Sequence, residues 1–134
     1  MTTPLRLHEI LYVSTIAADA PISVVADIAV RSRSVNQIRE ITGLLVFDGM
    51  HFCQQIEGNE QEIAELMERI QQDPRHNHIR ILHDAPLAHR RFGGFSLGYT
   101  SVEDVDALER LAQLQGQAAV DALLAMLSSL DVDS

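Results

Sequence analysis

Two neutral polar side chains fall where strand patterning calls for apolar ones. In FCQQIEG (Phe52–Gly58), strict alternation puts Phe52, Gln54 and Ile56 on one face and Cys53, Gln55 and Glu57, with His51, on the other. In LYVS (Leu11–Ser14), Tyr12 shares its face with Ile10 and Ser14. A buried amide left unpaired costs about 1–3 kcal/mol, so Gln54 is either exposed or supplied with a partner. Taken singly, Tyr12 reads as a core tyrosine with its hydroxyl bonded locally. A phenol facing a primary amide is uncharged and is no obvious acid or base, which suits a ligand-sensing network better than hydrolysis.

Other chemistry-bearing residues are scattered. Asn36 falls at the end of a helical stretch, where a C-terminal cap would account for it. Asp73, Arg75 and His76 lie in DPRHNH, just past a second helix, in what would ordinarily be a solvated turn. His76, His78, His83 and His89 with Cys53 invite a metal reading, but their spacing matches no closed zinc pattern. Arg90–Arg91 would meet a phosphate or an acidic partner, or simply form a surface pair.

The elements that must position these residues follow from periodicity. Residues 5–15 read as a strand, Asp19–Pro21 as a helix start, and Val24, Val25, Ile28 and Val35 as the stripe of a helix ending near Asn36. Ile41–Gly58 reads as two strands turning at Asp48–Gly49. Asn59 with Glu62 forms a capping-box-like start to a helix striped by Ile63, Leu66, Met67 and Ile70, and Asp73–Pro74 stops it. His78–Ala85 is a fourth strand, and Phe92–Ser101 a looser fifth. The order is α+β, a ferredoxin-like βαββαβ plan with an added fifth strand and two helices on one sheet face. VEDVDALERLAQLQ and QAAVDALLAMLSSL read as two amphipathic C-terminal helices divided near Gly116, the second striped by Val120, Leu123, Leu124, Leu127 and Leu130. Strands rich in apolar residues on both faces need a cover on the second face, and these helices supply it. Their leftover apolar surface would serve a subunit contact, hence a homo-oligomer.

Composition narrows the function. All ten basic residues are arginine, against nineteen acidic ones, which removes any lysine-dependent phosphate loop or Schiff base and argues against a nucleic-acid surface. No apolar run approaches the ~20 residues of a membrane span. A lone cysteine and an N-terminus without secretory patterning give a cytoplasmic expectation.

Taken together and in order, LYVS (Leu11–Ser14), N-x4-ITG (Asn36–Gly43), FxQxIEG (Phe52–Gly58), IxxDPRH (Ile70–His76) and RRFGGF (Arg90–Phe95) closely resemble the BLUF family, blue-light sensors that use FAD. The resemblance covers about residues 5–101. It implies a flavin-binding domain over 1–101 and a helical extension over 102–134 within the same globular unit, serving output and oligomerisation. It implies further that the flavin ring lies between the first two helices with Ile28 and Ile70 on its faces. Asn36 and Gln54 would bond its polar edge, Tyr12 would bond Gln54, and Asp73, Arg75 and His76 would meet the ribityl and pyrimidine side. The implied mechanism is photophysical rather than enzymatic. Light drives electron and proton transfer from Tyr12 through Gln54, and the amide is left rotated or tautomerised with a red-shifted flavin. Output would pass through the fifth strand and C-terminal helices to a downstream signalling protein. FMN or riboflavin in place of FAD stays open.

Where the family often has tryptophan, one residue and methionine, this chain has Phe95, Ser96 and Leu97. Leucine keeps the bulk of methionine but is branched and lacks sulfur. One alternative is therefore a flavin-binding module that has lost photosignalling. Another is an acylphosphatase-like hydrolase using Arg31 or Arg33 with Asn36, which lacks a glycine-rich loop after the first strand. A flavinless interaction domain would leave Gln54 unexplained. Replacing Leu97 by Met is expected to change the rate of dark recovery after blue light, and unchanged kinetics would refute a role for this position.

Overall fold

The computed structural model describes residues 6–20, 23–99, 106–126 and 131–133. Its elements run β1 (Leu7–Ile16), α1 (Ser23–Ile38), β2 (Thr42–Phe47), β3 (His51–Asn59), α2 (Glu60–Gln72), β4 (His76–Pro86), β5 (Phe95–Tyr99), α3 (Ala107–Leu111), α4 (Gln117–Met126) and β6 (Asp131–Asp133). They build one sheet in the order β4-β1-β3-β2-β5-β6. The first four strands, each antiparallel to its neighbours, form the expected ferredoxin-like core. β5 joins β2 in parallel, and β6 closes on β5 antiparallel.

The sheet is covered on both faces, which explains why β3 is buried from Phe52 to Gly58 without interruption. On one face, Ile10, Tyr12 and Ile56 pack with Ile63 and Met67 of α2, while Leu45, Phe47 and Phe52 meet Ile28 of α1. On the other, Leu11, Val13, Leu44, Val46 and Cys53 pack with Leu108 and Leu111 of α3 and with Val120 and Leu123 of α4. The C-terminal helices are thus the expected cover.

Local sequence fixes the ends. Asn59 caps α2 by accepting from the Gln61 N–H at 2.9 Å. Glu62 turns away from its anticipated capping-box role and takes the Arg39 guanidinium at 3.0 Å. Asp73 leaves the helix in an extended conformation, as the residue before a proline must. In the β2–β3 turn, Asp48 Oδ1 accepts from the N–H groups of Met50 and His51, an Asx-type arrangement.

Three expectations are corrected. Asn36 does not cap α1: the helix runs two residues further, Glu40 takes the left-handed conformation (φ 57), and Ile41 N–H returns to the Asn36 carbonyl. The first C-terminal helix covers only Ala107–Leu111; residues 112–115 form turn and irregular structure, and 102–105 lie outside the described residues. The second helix is described over Gln117–Met126; Leu127 and Leu130 of its expected stripe lie outside the described residues, and an unforeseen sixth strand follows at Asp131–Asp133. Finally, β4 starts two residues earlier than expected, at His76. For α1, the side chains of Val24, Val25 and Val35 also lie outside the description, as do those of Arg31 and Arg33.

Gly43, in the ITG segment, holds β2 close to β3. Its φ of 150° and the 1.9 Å separation that a Cβ would have from the Gln55 carbonyl oxygen leave room for no other residue. Gly43→Ala should therefore cost about 3 kcal/mol by overpacking, lowering the thermal midpoint by roughly 10 °C. A midpoint within a degree or two of the native protein would contradict this close approach.

Candidate functional site

A cavity of about 350 Å³ lies on the α1–α2 side of the sheet, within the size range of small-molecule sites. Its placement follows from topology: α1 lies against β2 and β5, and α2 against β1 and β3, leaving a slot between the helices above the sheet centre. Tyr12 and Gln54 contribute polar groups from the sheet, and Leu45 and Phe52 apolar ones. Ile28 of α1 and Ile70 of α2 line the helical walls, and Asn36 enters from the last turn of α1. Asp73, Arg75 and His76 line the segment where α2 gives way to β4.

Every residue that the sequence reading placed around a ligand thus lines this one cavity. Phe95 and Leu97 are on β5, and their side chains lie outside the description. The backbone register nevertheless runs Tyr12, Gln54, Leu45, Leu97 across four adjacent strands. Sequence reasoning missed Leu66, Arg69 and Gln72, which also line the cavity. The helical period that selected Ile70 places Leu66, Arg69 and Asp73 on the same face. Arg69 was overlooked because only apolar residues were counted in the stripe.

At the centre, the Tyr12 hydroxyl donates to Gln54 Oε1. Burial, with the Asp73 carboxylate adding to it, pushes the Tyr12 phenol well above its ordinary pKa, so it stays protonated. Gln54 spends its oxygen on Tyr12. Its amide nitrogen is left as the donor available to a ligand. The Asn36 side-chain nitrogen is buried with no hydrogen-bond partner among the described residues.

At the rim, Asp73 accepts from the Arg75 backbone at 2.9 Å and from its guanidinium at 2.5 Å and beyond. The Arg75 hydrogen bonds hold the Asp73 carboxyl below its usual range against the opposing effect of burial. His76 is fully engaged by protein. Its Nε2–H donates to the Ile70 carbonyl, so a neutral ring accepts the Ser14 hydroxyl at Nδ1, both at 2.7 Å. His76 thereby clasps β1 to the end of α2, with its ring edge 6.4 Å from that of Tyr12 between centroids.

The residues proposed for other chemistries are dispersed. Cys53 packs on the reverse face, its thiol pushed up to about 12 by burial. His78 contacts Asn77, and His83 contacts Glu9. Arg90 and Arg91 are not a free surface pair: Arg90 donates to Thr42 Oγ1, and Arg91 to the carboxylate of Glu9 on the reverse face.

A slot with apolar walls and a neutral phenol–amide pair at its base, on a ferredoxin-like sheet, defines a ligand-binding sensor domain. Residues 7–98 match the family described as BLUF, sensors of blue-light using FAD. The chain belongs to this family. Over 88 residues it is 36% identical to the blue light- and temperature-regulated antirepressor BluF of Escherichia coli (strain K12), covering 65% of this chain and 22% of that protein. Among solved structures it is similar to BlrB, a BLUF protein in its dark state, with 32% identity, a TM-score of 0.75, and coverage of 92% of this chain and 96% of that one. Klebsiella pneumoniae BlrP1, solved with FMN and cyclic diGMP, gives 34% identity and a TM-score of 0.68 over 78% of this chain and 29% of that one. The chain therefore spans about a fifth of the antirepressor and under a third of BlrP1. Among the described residues, no helix is long and apolar enough to cross a membrane.

The Asp73–Arg75 pair gives a pH signature. Because the folded pKa of Asp73 is depressed, its stabilisation is complete above the ordinary aspartate value of about 3.9 and fades as pH falls through the folded value. Partial exposure limits the pair to about 0.5–1 kcal/mol. Urea unfolding should find Asp73→Asn less stable than the native chain by that amount near neutrality, with the gap closing below pH ~3.9. A gap independent of pH would exclude the charge as its source.

Proposed function

We propose that this chain is a blue-light photoreceptor that holds FAD in the α1–α2 cavity and signals to a partner protein through residues 102–134. The observation that carries the reading is the buried Asn36 amide nitrogen, a donor with no partner among the described residues, lining the same cavity as Gln54. Burying such a donor costs about 1–3 kcal/mol unless a ligand acceptor meets it. The polar edge of a flavin presents carbonyl and ring-nitrogen acceptors of the required kind. Ile28 and Ile70 suit the faces of its apolar ring system. Asp73 and Arg75 suit the polar chain beyond it, with His76 holding the strand beside them.

Bound flavin would supply the blue absorption and, when excited, a strong one-electron oxidant. The protein's part is to keep a donor and a mobile amide beside it. Tyr12 holds its phenolic proton on Gln54 Oε1, ready to move along that bond. Rotation or tautomerisation of Gln54 then changes which atom of the amide faces the cavity. No residue is consumed, so the change is one of hydrogen bonding, and the domain turns over no substrate of its own.

In this reading, residues 1–101 are the flavin domain and 102–134 the output and subunit-contact element of a cytoplasmic homo-oligomer. Partner control is supported by the antirepressor relative, whose name describes a light-regulated regulator. FAD is preferred to FMN on the family's description, although BlrP1 has been solved with FMN.

The test is a flavin titration followed by absorption spectra in darkness and under blue light. The native chain should bind FAD and show a small red shift that reverses in the dark. Asn36→Ala should leave the flavin-free protein no less stable, because it removes an unpaired buried donor, yet weaken FAD binding about tenfold, the worth of one ligand hydrogen bond. A flavin band that light does not move would leave a binding module without the switch. Absence of flavin binding would overturn the function.

A further inference from the structure

The residue after Gln54 opens a second network on the opposite face of the sheet. Gln55 is fully buried, and its Nε2 donates to Glu9 Oε1 at 2.6 Å. Since a carboxylate only accepts, the amide's NH2 must face Glu9, and Gln55 Oε1 points away with no partner among the described residues. Glu9 alone therefore sets the orientation of this amide. The same carboxylate accepts from Arg91 Nε at 3.0 Å and Nη2 at 3.3 Å, and from His83 Nε2 at 3.2 Å. Burial by itself would raise the Glu9 carboxyl, but these donors outweigh it and hold the group ionised.

The network continues toward β5. Glu57, also fully buried, accepts from the backbone N–H groups of Arg91 and Phe92 at 2.8–3.1 Å and from Thr42 Oγ1 at 2.7 Å. Two residues beyond Phe92, the Gly94 carbonyl accepts from Gly43 N–H, and β5 begins at Phe95. Phe92 itself packs against the α3–α4 core. None of Glu9, Gln55, Glu57 or Arg91 lines the flavin cavity.

Geometry makes this a lever on the strand that carries Gln54. Gln55 stands opposite Leu11, whereas Glu9 stands opposite Glu57, so the Gln55–Glu9 bond runs diagonally between β1 and β3. A slide or roll of β3 against β1 changes its length and angle. We propose that Glu9 is a positioning residue for the Gln54 switch: through Gln55 it holds β3 in the dark arrangement, and through Arg91 it ties that arrangement to β5 and the C-terminal helices. This inference rests on the photoreceptor function proposed above.

The experiment uses the full chain loaded with FAD. It compares the native protein with Glu9→Gln, which keeps the shape and removes the charge, and with Arg91→Gln at a partly exposed side chain. Three quantities are read: the light-induced red shift, the dark-recovery rate, and the light-minus-dark difference in amide hydrogen exchange over Phe95–Tyr99 and Ala107–Met126. Glu9→Gln should retain the red shift, because Tyr12 and Gln54 are untouched. Its recovery should slow about tenfold, since the bond that favours return is weakened, equivalent to ~1.4 kcal/mol in the barrier. Both variants should lose the exchange difference. Recovery within about twofold of native, ~0.4 kcal/mol, together with an intact exchange difference in both variants, would overturn the proposal and leave Glu9–Arg91 a stabilising ion pair that only lowers the melting temperature. Should Glu9→Gln fail to fold, Arg91→Gln decides by the exchange criterion alone. A native chain with no red shift would instead remove the photoreceptor function and this inference with it.

Discussion

The hydrogen bond from Tyr12 to Gln54 exists only while β1 and β3 pair in one register. The two residues are direct cross-strand partners, both buried, on the face covered by α1 and α2. A slip of one residue would turn Gln54 toward the reverse face and bring Gln55 into its place. Much of the surrounding structure limits that slip. The Asp48 turn fixes the β2–β3 pairing, Gly43 lets β2 approach β3 closely, and the Asn59 cap marks where β3 becomes α2. The His76 clasp ties Ser14, two residues beyond Tyr12, to the end of α2.

The two faces of the sheet divide the polar groups by charge. Among the described residues that line the cavity, Tyr12, Gln54 and Asn36 supply a neutral phenol and two amides, and Arg69, Asp73 and Arg75 on α2 and just past it carry the charge. On the reverse face, the buried carboxylates Glu9 and Glu57 are each held at hydrogen-bonding distance, Glu9 by the partly exposed Arg91 guanidinium and Glu57 by the backbone ahead of β5. Buried ions must be paired and fully hydrogen-bonded to be tolerated, and such pairing resists motion. Charge is therefore placed where rigidity serves, and neutral groups where the proposed switch would rearrange.

Much of this was legible in the sequence because it rests on short-range rules. Alternation found both faces of β3, helical spacing found Ile28 and Ile70, and Asp73–Pro74 marked the end of α2. The order of elements, with the ferredoxin-like rule, put β1 beside β3 and so Tyr12 beside Gln54. What was missed depends on partners distant in the chain. Arg91 looked like half of a surface pair because Glu9, its partner, lies 82 positions away. Glu57 looked like one polar residue of a strand, although it anchors the backbone ahead of β5. β6 was missed because three residues of acidic composition carry no strand signal, and pairing with β5 alone defines them. Asn36 has a local explanation as a cap at a helix end, and only the family resemblance set it toward a ligand; the structure puts its nitrogen on the cavity, buried with no partner among the described residues.

A switch built on a primary amide needs a neighbour that accepts both of its orientations. A hydroxyl does: it donates to Gln54 Oε1 in the arrangement seen here, and it accepts from Nε2 if the amide turns over. A carboxylate could only accept and an ammonium could only donate, so either would fix one orientation by several kcal/mol in a buried site, on the order of the cost of an unpaired charge-assisted bond. Tyr12 is held protonated by its burial, so this two-way capacity persists across the physiological pH range. The energy separating the two states is then set by differences among neutral hydrogen bonds, roughly 1 kcal/mol each. Small biases of that size, from a ligand on one side of β3 or a salt bridge on the other, are enough to choose between them.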